Sequence, residues 1–360
     1  MRLTIKHILI VRLGAIGDVV HTLPALTALR KEFPGVRLSW MVEALSAPLL
    51  EGHPHIDHLH VLPYRKKTPW KKYLRALWHT GRELRREGVD VAIDFQGLTK
   101  SGLAAWSSGA SLRVGFGGAE SREWNRFFMN RRVTPGEADV HVIDKNLALL
   151  RALGIEKAGR RFVLPDFPRA GERIASWWGG CFGPDERVVM INPGAGWETK
   201  RMPLETWRAV AARLSAEVGM RVVVLWGPGE RESAEALVRS VNAAAGVDGA
   251  ALPAPDTTLQ ELVELTRRAA LFLGGDTGPT HIAAALGVPT LSVFGGSDSR
   301  RNEPAGPRAR SLQNFALSCV PCWKTRCPLT GDRRLACLKT LPPDRIYAEA
   351  IRLLNESGAG

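Results

Sequence analysis

The sequence predicts an α/β protein of two doubly wound, Rossmann-like domains facing each other across a cleft. Three observations predict it. Short apolar runs alternate with helix-like segments along most of the chain, the pattern of buried parallel strands joined by helical crossovers. The alternation lapses over residues 155–172, where Pro165, Pro168 and Gly171 read as a linker, and then restarts. The 360 residues, 45% apolar and 24% charged, suffice for two cores of ordinary size. The expected divisions are a first domain at 1–165, a second at 173–342, and a C-terminal helix and tail at 343–360.

Each element has its own warrant. In the first half HILIV (7–11), VRLSWMV (36–42), HLHVL (58–62), VDVAIDF (89–95) and RVGF (113–116) are short and β-branched or aromatic, hence strands. Helices are expected around 21–33, near 45–51, within 70–88, near 98–107 and near 140–153. Pro24 either kinks the first of these or marks its first turn. In the second half VVMIN (188–192), RVVVLW (221–226), ALFLGG (270–275) and PTLSVFG (289–295) are strands. Helices are expected near 203–217, from about Glu230, over 258–269, over 282–286 and over 343–356. In TLQELVELTRRA, Leu259, Leu262, Val263 and Leu265 fall on one side, which is helical spacing.

Composition narrows the function classes. No apolar stretch reaches the roughly 18 residues of a membrane span, and the N-terminal apolar run reads as a strand rather than a secretion signal. A cytoplasmic protein is expected. Five cysteines, an odd number, argue against a disulfide framework. The net charge of +13 favours an anionic partner, whether nucleic acid, an acidic membrane face or a phosphorylated substrate.

Ligands of doubly wound sheets bind beyond the carboxyl ends of the strands. Three loops of the second half lie there. NPGAGWETKRMP (192–203) has small residues that admit an anion to the backbone, and Lys200 supplies a point charge. In WGPGERE (226–232), Glu230 follows a strand and opens a helix, where a carboxylate accepts both hydroxyls of a ribose. In GGDTGPTHIAAALG (274–287), Asp276, Thr277 and Gly278 precede a helix whose free N–H groups and dipole suit a diphosphate. Singly, each has a plain structural reading: an N-cap, a first-turn acid, a solvated lysine. Together, at the strand ends of one domain, they point to a nucleotide-diphosphate site. It is not a usual dinucleotide site, because Gly14-Ala15-Ile16-Gly17-Asp18 lacks G-x-G-x-x-G, and no G-x-x-x-x-G-K-[ST] occurs. A D-x-D pair to hold a metal against a diphosphate is missing too.

Asp18, at the first strand–helix mouth, is then suited to take a proton from an acceptor hydroxyl; the alternative is that it caps the helix after it. Asp94, in AIDFQG, is the other candidate base. The run 64–86 holds nine Lys or Arg against one Glu, interleaved with Tyr64, Trp70, Tyr73 and Trp78. It is fit to grip phosphates of an acceptor or a membrane surface; no nucleic-acid recognition motif accompanies it. Cys319, Cys322, Cys327 and Cys337 have partial zinc spacing, with free thiols in a packed tail as the alternative.

Several stretches resemble one family closely: GDVVHTLPAL (17–26), WMVE (40–43), VAIDFQGLTKSGL (91–103), SREWNRFFMNR (121–131), TKRMP (199–203), LWGPGERE (225–232) and DTGPTHIAAALGVPTLSVFGGSD (276–298). The chain is similar, over nearly its whole length, to the lipopolysaccharide heptosyltransferases of glycosyltransferase family 9, and its first half most resembles the type I members. The resemblance implies the two-domain GT-B architecture and metal-independent, inverting transfer of L-glycero-D-manno-heptose from ADP-heptose to a Kdo sugar of Kdo–lipid A. By matching positions it implies Asp18 as catalytic base. Lys200, Glu230, Asp276, Thr277, Gly278 and His281 would bind the donor; Arg122, Lys66, Lys67 and Gln96 would bind the acceptor. No cofactor or metal is expected. Partners would be the donor, the lipid acceptor and the inner-membrane surface, with no nucleic acid and a monomeric state, in the cytoplasm on the inner face of that membrane. Met202 stands where the type I pattern has Trp, and the Cys-rich segment is closer to the type II members. The alternatives are therefore a heptosyltransferase II or another family 9 enzyme adding a later core sugar, and a non-catalytic nucleotide-binding module with an anionic partner.

Overall fold

The computed structural model describes residues 5–357 and divides into two compact units, Met1–Asp166 and Phe167–Gly360. The first unit runs β1 (His7–Val11), α1 (Ile16–Val20), α2 (Leu23–Glu32), β2 (Arg37–Glu43), β3 (His58–Leu62), α3 (Trp70–Glu87), β4 (Val91–Asp94), α4 (Thr99–Ser107), β5 (Leu112–Phe116), β6 (Arg131–Val133) and α5 (Val142–Leu149). Its six strands are ordered β3-β2-β1-β4-β5-β6 and all pair in parallel. Every residue of β1 and β4 is buried, as a central strand with both faces covered requires. On one face α3 and α4 pack Tyr73, Leu77, Leu84, Ala104 and Ala105 onto Leu9, Val11 and Ala92.

The second unit runs α6 (Pro168–Cys181), β7 (Val188–Asn192), α7 (Leu204–Val218), β8 (Arg221–Val224), α8 (Arg231–Ala245), β9 (Ala251–Pro253), α9 (Leu259–Thr266), β10 (Leu271–Gly275), α10 (Gly278–Ala285), β11 (Thr290–Phe294), α11 (Ser299–Asn302), β12 (Ala309–Gln313), α12 (Ala336–Lys339) and α13 (Pro343–Ser357). Its order, β12-β11-β10-β7-β8-β9, repeats that of the first unit once the strands are counted from β7. In each sheet the order reverses between the first and fourth strands. That is where a doubly wound fold opens a crevice for ligand.

The expected linker is extended through Phe167, but from Pro168 it is the first turn of α6. Proline at that position lacks only an N–H that would be unpaired anyway, and α6 buries Ile174 against Phe182, Leu265 and Phe272. The helix expected at 21–33 is α2, which starts at Leu23 with Pro24 in its first turn; a separate short helix, α1, precedes it and ends at Val20. The C-terminal helix α13 packs Ile346, Ala350, Leu353 and Leu354 into the second unit's core beside α7 and β10. No described helix is long and apolar enough to cross a membrane.

Candidate active site

In the second unit the site is built around the end of β7. The loop after it carries a single turn, Glu198–Lys200, and sends two adjacent cations to the two neighbouring strand ends. Lys200 reaches the end of β10, where its Nζ lies 2.6 Å from Asp276 Oδ2 and 4.6 Å above the Trp197 ring. Arg201 turns toward β8, its guanidinium 3.7 Å from Glu230 Oε1, and donates to the Ala195 carbonyl at 2.7 Å. The turn lies close on the sheet because β10 ends in glycine: a Cβ on Gly275 would meet the Lys200 carbonyl oxygen at 2.6 Å.

Asp276 is buried, and its other oxygen accepts from His281 Nε2 at 3.1 Å. Burial opposes its ionisation, but the His281 hydrogen bond and the Lys200 charge outweigh it and hold the carboxyl far below the usual range. Thr277 is the N-cap of α10, but its side chain makes no capping bond; its hydroxyl accepts instead from Asn192 Nδ2 at 2.9 Å. The first-turn N–H groups of α10, next to Gly278, therefore face the crevice without a side-chain cap, the arrangement that receives a phosphate.

Glu230 is the N-cap residue of α8, and its Oε2 accepts from the Gly227 N–H at 3.1 Å. It lines a cavity of about 310 Å³ with Gly194, Arg201, Leu204, Leu225 and Ser233. Apolar walls beside one carboxylate suit a base and its ribose. Gly194 leaves room for that carboxylate, since a Cβ there would come within 2.2 Å of Glu230 Oε2.

The four clustered cysteines buttress this end of the sheet. The Cys322 N–H donates to the Gly296 carbonyl at 3.0 Å and the Cys327 N–H to Glu198 Oε2 at 3.0 Å, which fixes the turn bearing Lys200. Burial, with the other three thiols nearby, pushes Cys337 up to about 11, so it is a thiol at neutral pH.

In the first unit the two candidate bases separate clearly. Asp94, at the end of β4, is fully buried and accepts from the Gln96 and Gly97 N–H groups at 2.8 and 3.2 Å. Ser101 Oγ at 2.9 Å and Asn125 Nδ2 at 2.5 Å complete its shell. It is a pin for the β4–α4 loop. Burial raises its carboxyl against the pull of those donors. Asp18 lies in α1 with its side chain 42% exposed. Its Oδ2 lies 2.6 Å from an Arg12 guanidinium nitrogen and accepts weakly from the Ala15 N–H at 3.3 Å. The capping reading is thus part of the answer, but both contacts use one oxygen. Arg12 is buried and also donates to the Phe95 carbonyl, so it fixes the direction of the carboxylate.

Of the acceptor candidates, Gln96 is buried and its Oε1 accepts from the Leu13 N–H at 3.0 Å, tying the β4 loop to the β1 loop. Lys66 and Lys67 are exposed on a single turn after β3, and Arg122 is exposed beside Glu123. The neighbours of both groups, Arg65 and Glu123, line one cavity of about 590 Å³ with Trp70, Tyr73, Leu77 and Lys100. Lys100 Nζ is held 2.8 Å from the buried Glu43. Arg12 and Arg201 were not expected from the sequence. Arg12 follows an apolar strand run; the β1–α1 connection folds Asp18 back to it, and the β1–β4 pairing brings Phe95.

The glycosyltransferase family 9 (heptosyltransferase) model matches residues 77–331. The chain belongs to glycosyltransferase family 9. Lipopolysaccharide heptosyltransferase 1 of Pseudomonas aeruginosa is 31% identical over 350 residues, covering 94% of this chain and 92% of that protein. Among solved structures, a family 9 glycosyltransferase from Veillonella parvula aligns with a TM-score of 0.83 at 22% identity, covering 99% of both chains. The Escherichia coli heptosyltransferase WaaC with ADP-2-deoxy-2-fluoro heptose aligns with a TM-score of 0.69 at 22% identity, over 98% of this chain and 100% of that one. These likenesses give this family 9 transferase the expected GT-B fold.

Proposed function

We propose that this family 9 glycosyltransferase moves a heptose from ADP-heptose to a Kdo sugar of the lipopolysaccharide inner core, with inversion and without a metal at the diphosphate. The observation that carries the reading is the set of donor groups around β7: Lys200 on Asp276 beside an uncapped helix start, and Glu230 in a base-sized cavity. The relatives' names supply the sugar and the acceptor class.

In this mechanism Asp18 Oδ1 takes the proton of an acceptor hydroxyl as that oxygen bonds to the anomeric carbon. The bond from that carbon to the diphosphate oxygen breaks on the opposite face, and ADP departs with the electron pair. Lys200 and the N–H groups of α10 receive the charge that develops there. Arg12 positions the base. Thr277 and Gly278 contact phosphate, Asp276 and His281 position Lys200 and the sugar, and Glu230 binds ribose. Arg122, Lys66, Lys67 and Gln96 bind the acceptor. Its acyl part suits the apolar cavity along Trp70, Leu74 and Leu77. The exposed Lys71, Lys72 and Arg75 of α3, with Trp70 and Trp78, 57% and 58% exposed, suit the anionic inner face of the inner membrane, where the enzyme would act peripherally.

Incubation with ADP-heptose and Kdo–lipid A, followed by mass spectrometry, tests this. The expected result is an acceptor heavier by one heptose, dependent on Asp18. Transfer only to an already heptosylated acceptor would instead support the type II reading that the Cys-rich segment favours. ADP binding with no product on any acceptor would sink the enzymatic proposal.

A further inference from the structure

The amino-terminal end of β3, at the edge of the first sheet and away from the carboxyl ends that carry the active-site loops, holds a cluster that the transfer reaction does not use. His58 and His60 lie two residues apart on one strand, so both imidazoles project to the same face. The helix α3 follows β3 and returns alongside it, bringing its last residue, Glu87, back to the strand's start. One ligand atom from each of His58, His60 and Glu87 lies within 4.8 Å of the others.

Two candidate ligand atoms lack a hydrogen bond. His60 has a side chain only 3% exposed, and its Nε2 has no hydrogen-bond partner among the described residues. Glu87 Oε2, also shielded from solvent, lies 3.8 Å from it, too far for a hydrogen bond. The Arg37 guanidinium approaches the same oxygen at 3.2 Å without forming a hydrogen bond, and its side chain is 41% exposed. Buried polar atoms normally find partners. Here a buried imidazole nitrogen, a carboxylate oxygen and a second imidazole, its ring edge-on to the first at 4.4 Å between centroids, lie within 4.8 Å of one another.

We propose that His58, His60 and Glu87 form a binding site for a divalent transition-metal ion of the zinc type. Two imidazoles and a carboxylate, with water in the remaining position, are a donor set that zinc accepts. Tetrahedral ligation at about 2.0–2.1 Å sets ligand atoms roughly 3.3 Å apart, so the three atoms, now within 4.8 Å of one another, would have to draw together on binding. A carboxylate has two oxygens, so Glu87 serves the metal with one while Arg37 stays on the other or swings to solvent. The ion fastens the end of the basic helix α3 to the edge strand, and its role is structural.

The test uses the full chain, stripped of metal, titrated with Zn²⁺ and separately with Co²⁺. One equivalent is expected to bind with visible d–d absorption of cobalt, and Zn²⁺ is expected to raise the Tm. His58 is exposed, so His58→Ala keeps the fold; it and Glu87→Gln are each expected to lose at least about tenfold in affinity and to abolish the Tm shift. The cysteine cluster is the competing site. A cobalt spectrum made up solely of thiolate-to-metal charge transfer, abolished by Cys322→Ser and unchanged in His58→Ala, would overturn the proposal. So would an unaltered Zn²⁺ affinity in both His58→Ala and Glu87→Gln, or no binding at all.

Discussion

The two sheets share one strand order, and their crevices hold opposite electrostatic arrangements. At the first, between β1 and β4, one carboxylate is buried under four neutral donors and the other is half-exposed on a single arginine. At the second, between β7 and β10, the carboxylate is buried under a lysine and a histidine beside a helix N-terminus. Under the proposed mechanism the same topology would present a base on one unit and an anion receptor on the other. Topology selects the place and side chains select the chemistry.

The sharpest way to break this contrast is Asp18→Ala. It is expected to lower kcat by about a thousandfold, within the range of general-base catalysis, while ADP affinity measured by calorimetry stays within about twofold. A parallel loss of ADP binding would remove the distinction between the units. Next come the two buried carboxylates, which are expected to fail differently. Asp276→Ala strands Lys200 and should cost about 3–5 kcal/mol in urea unfolding together with ADP affinity. Asp94→Ala leaves four donors unpaired and should cost several kcal/mol by the same measurement, but with ADP affinity intact in protein that remains folded. Gly194→Ala, which displaces Glu230, should raise the KM for ADP-heptose about tenfold with kcat little changed; an unchanged KM would remove Glu230 from the ribose site.

The first unit should also carry a pH dependence of its own. His53 accepts from the His55 N–H through Nδ1 and donates from Nε2 to the Val163 carbonyl, so it is satisfied only when neutral. Burial pushes it down to about 4 from 6.5. The unfolded chain therefore binds the extra proton first. The stability it contributes is present above pH 6.5 and is lost as pH falls from 6.5 through 4, by at most about 3 kcal/mol. Urea midpoints across that window should fall less steeply in His53→Asn than in the parent, and equal slopes would refute the assignment.

Much of this was legible in the sequence. HILIV and VVMIN are strands to the residue because buried parallel strands are mostly apolar runs, and the edge strand HLHVL, only partly buried, also matches to the residue. The three-residue strands β6 and β9 were too short to show a pattern, and β12, ARSLQ, is too polar to read as buried. Pro168 read as a breaker although its place at a helix start is equally regular. The site was legible as loops after strands, whereas its pairings were not: Arg201 meets Glu230 across neighbouring strand ends, and Arg12 meets Asp18 through the path of the β1–α1 connection, which residue types alone do not show.

One consequence follows from the turn that sends Lys200 and Arg201 to separate carboxylates. Both cations already have an internal counter-ion before any nucleotide arrives, so loading the donor is an exchange of anions, not a neutralisation. We predict that the Kd for ADP will weaken only shallowly between low and moderate ionic strength, despite a protein charge of +13. A steep dependence would mean that these internal pairs do not persist in solution.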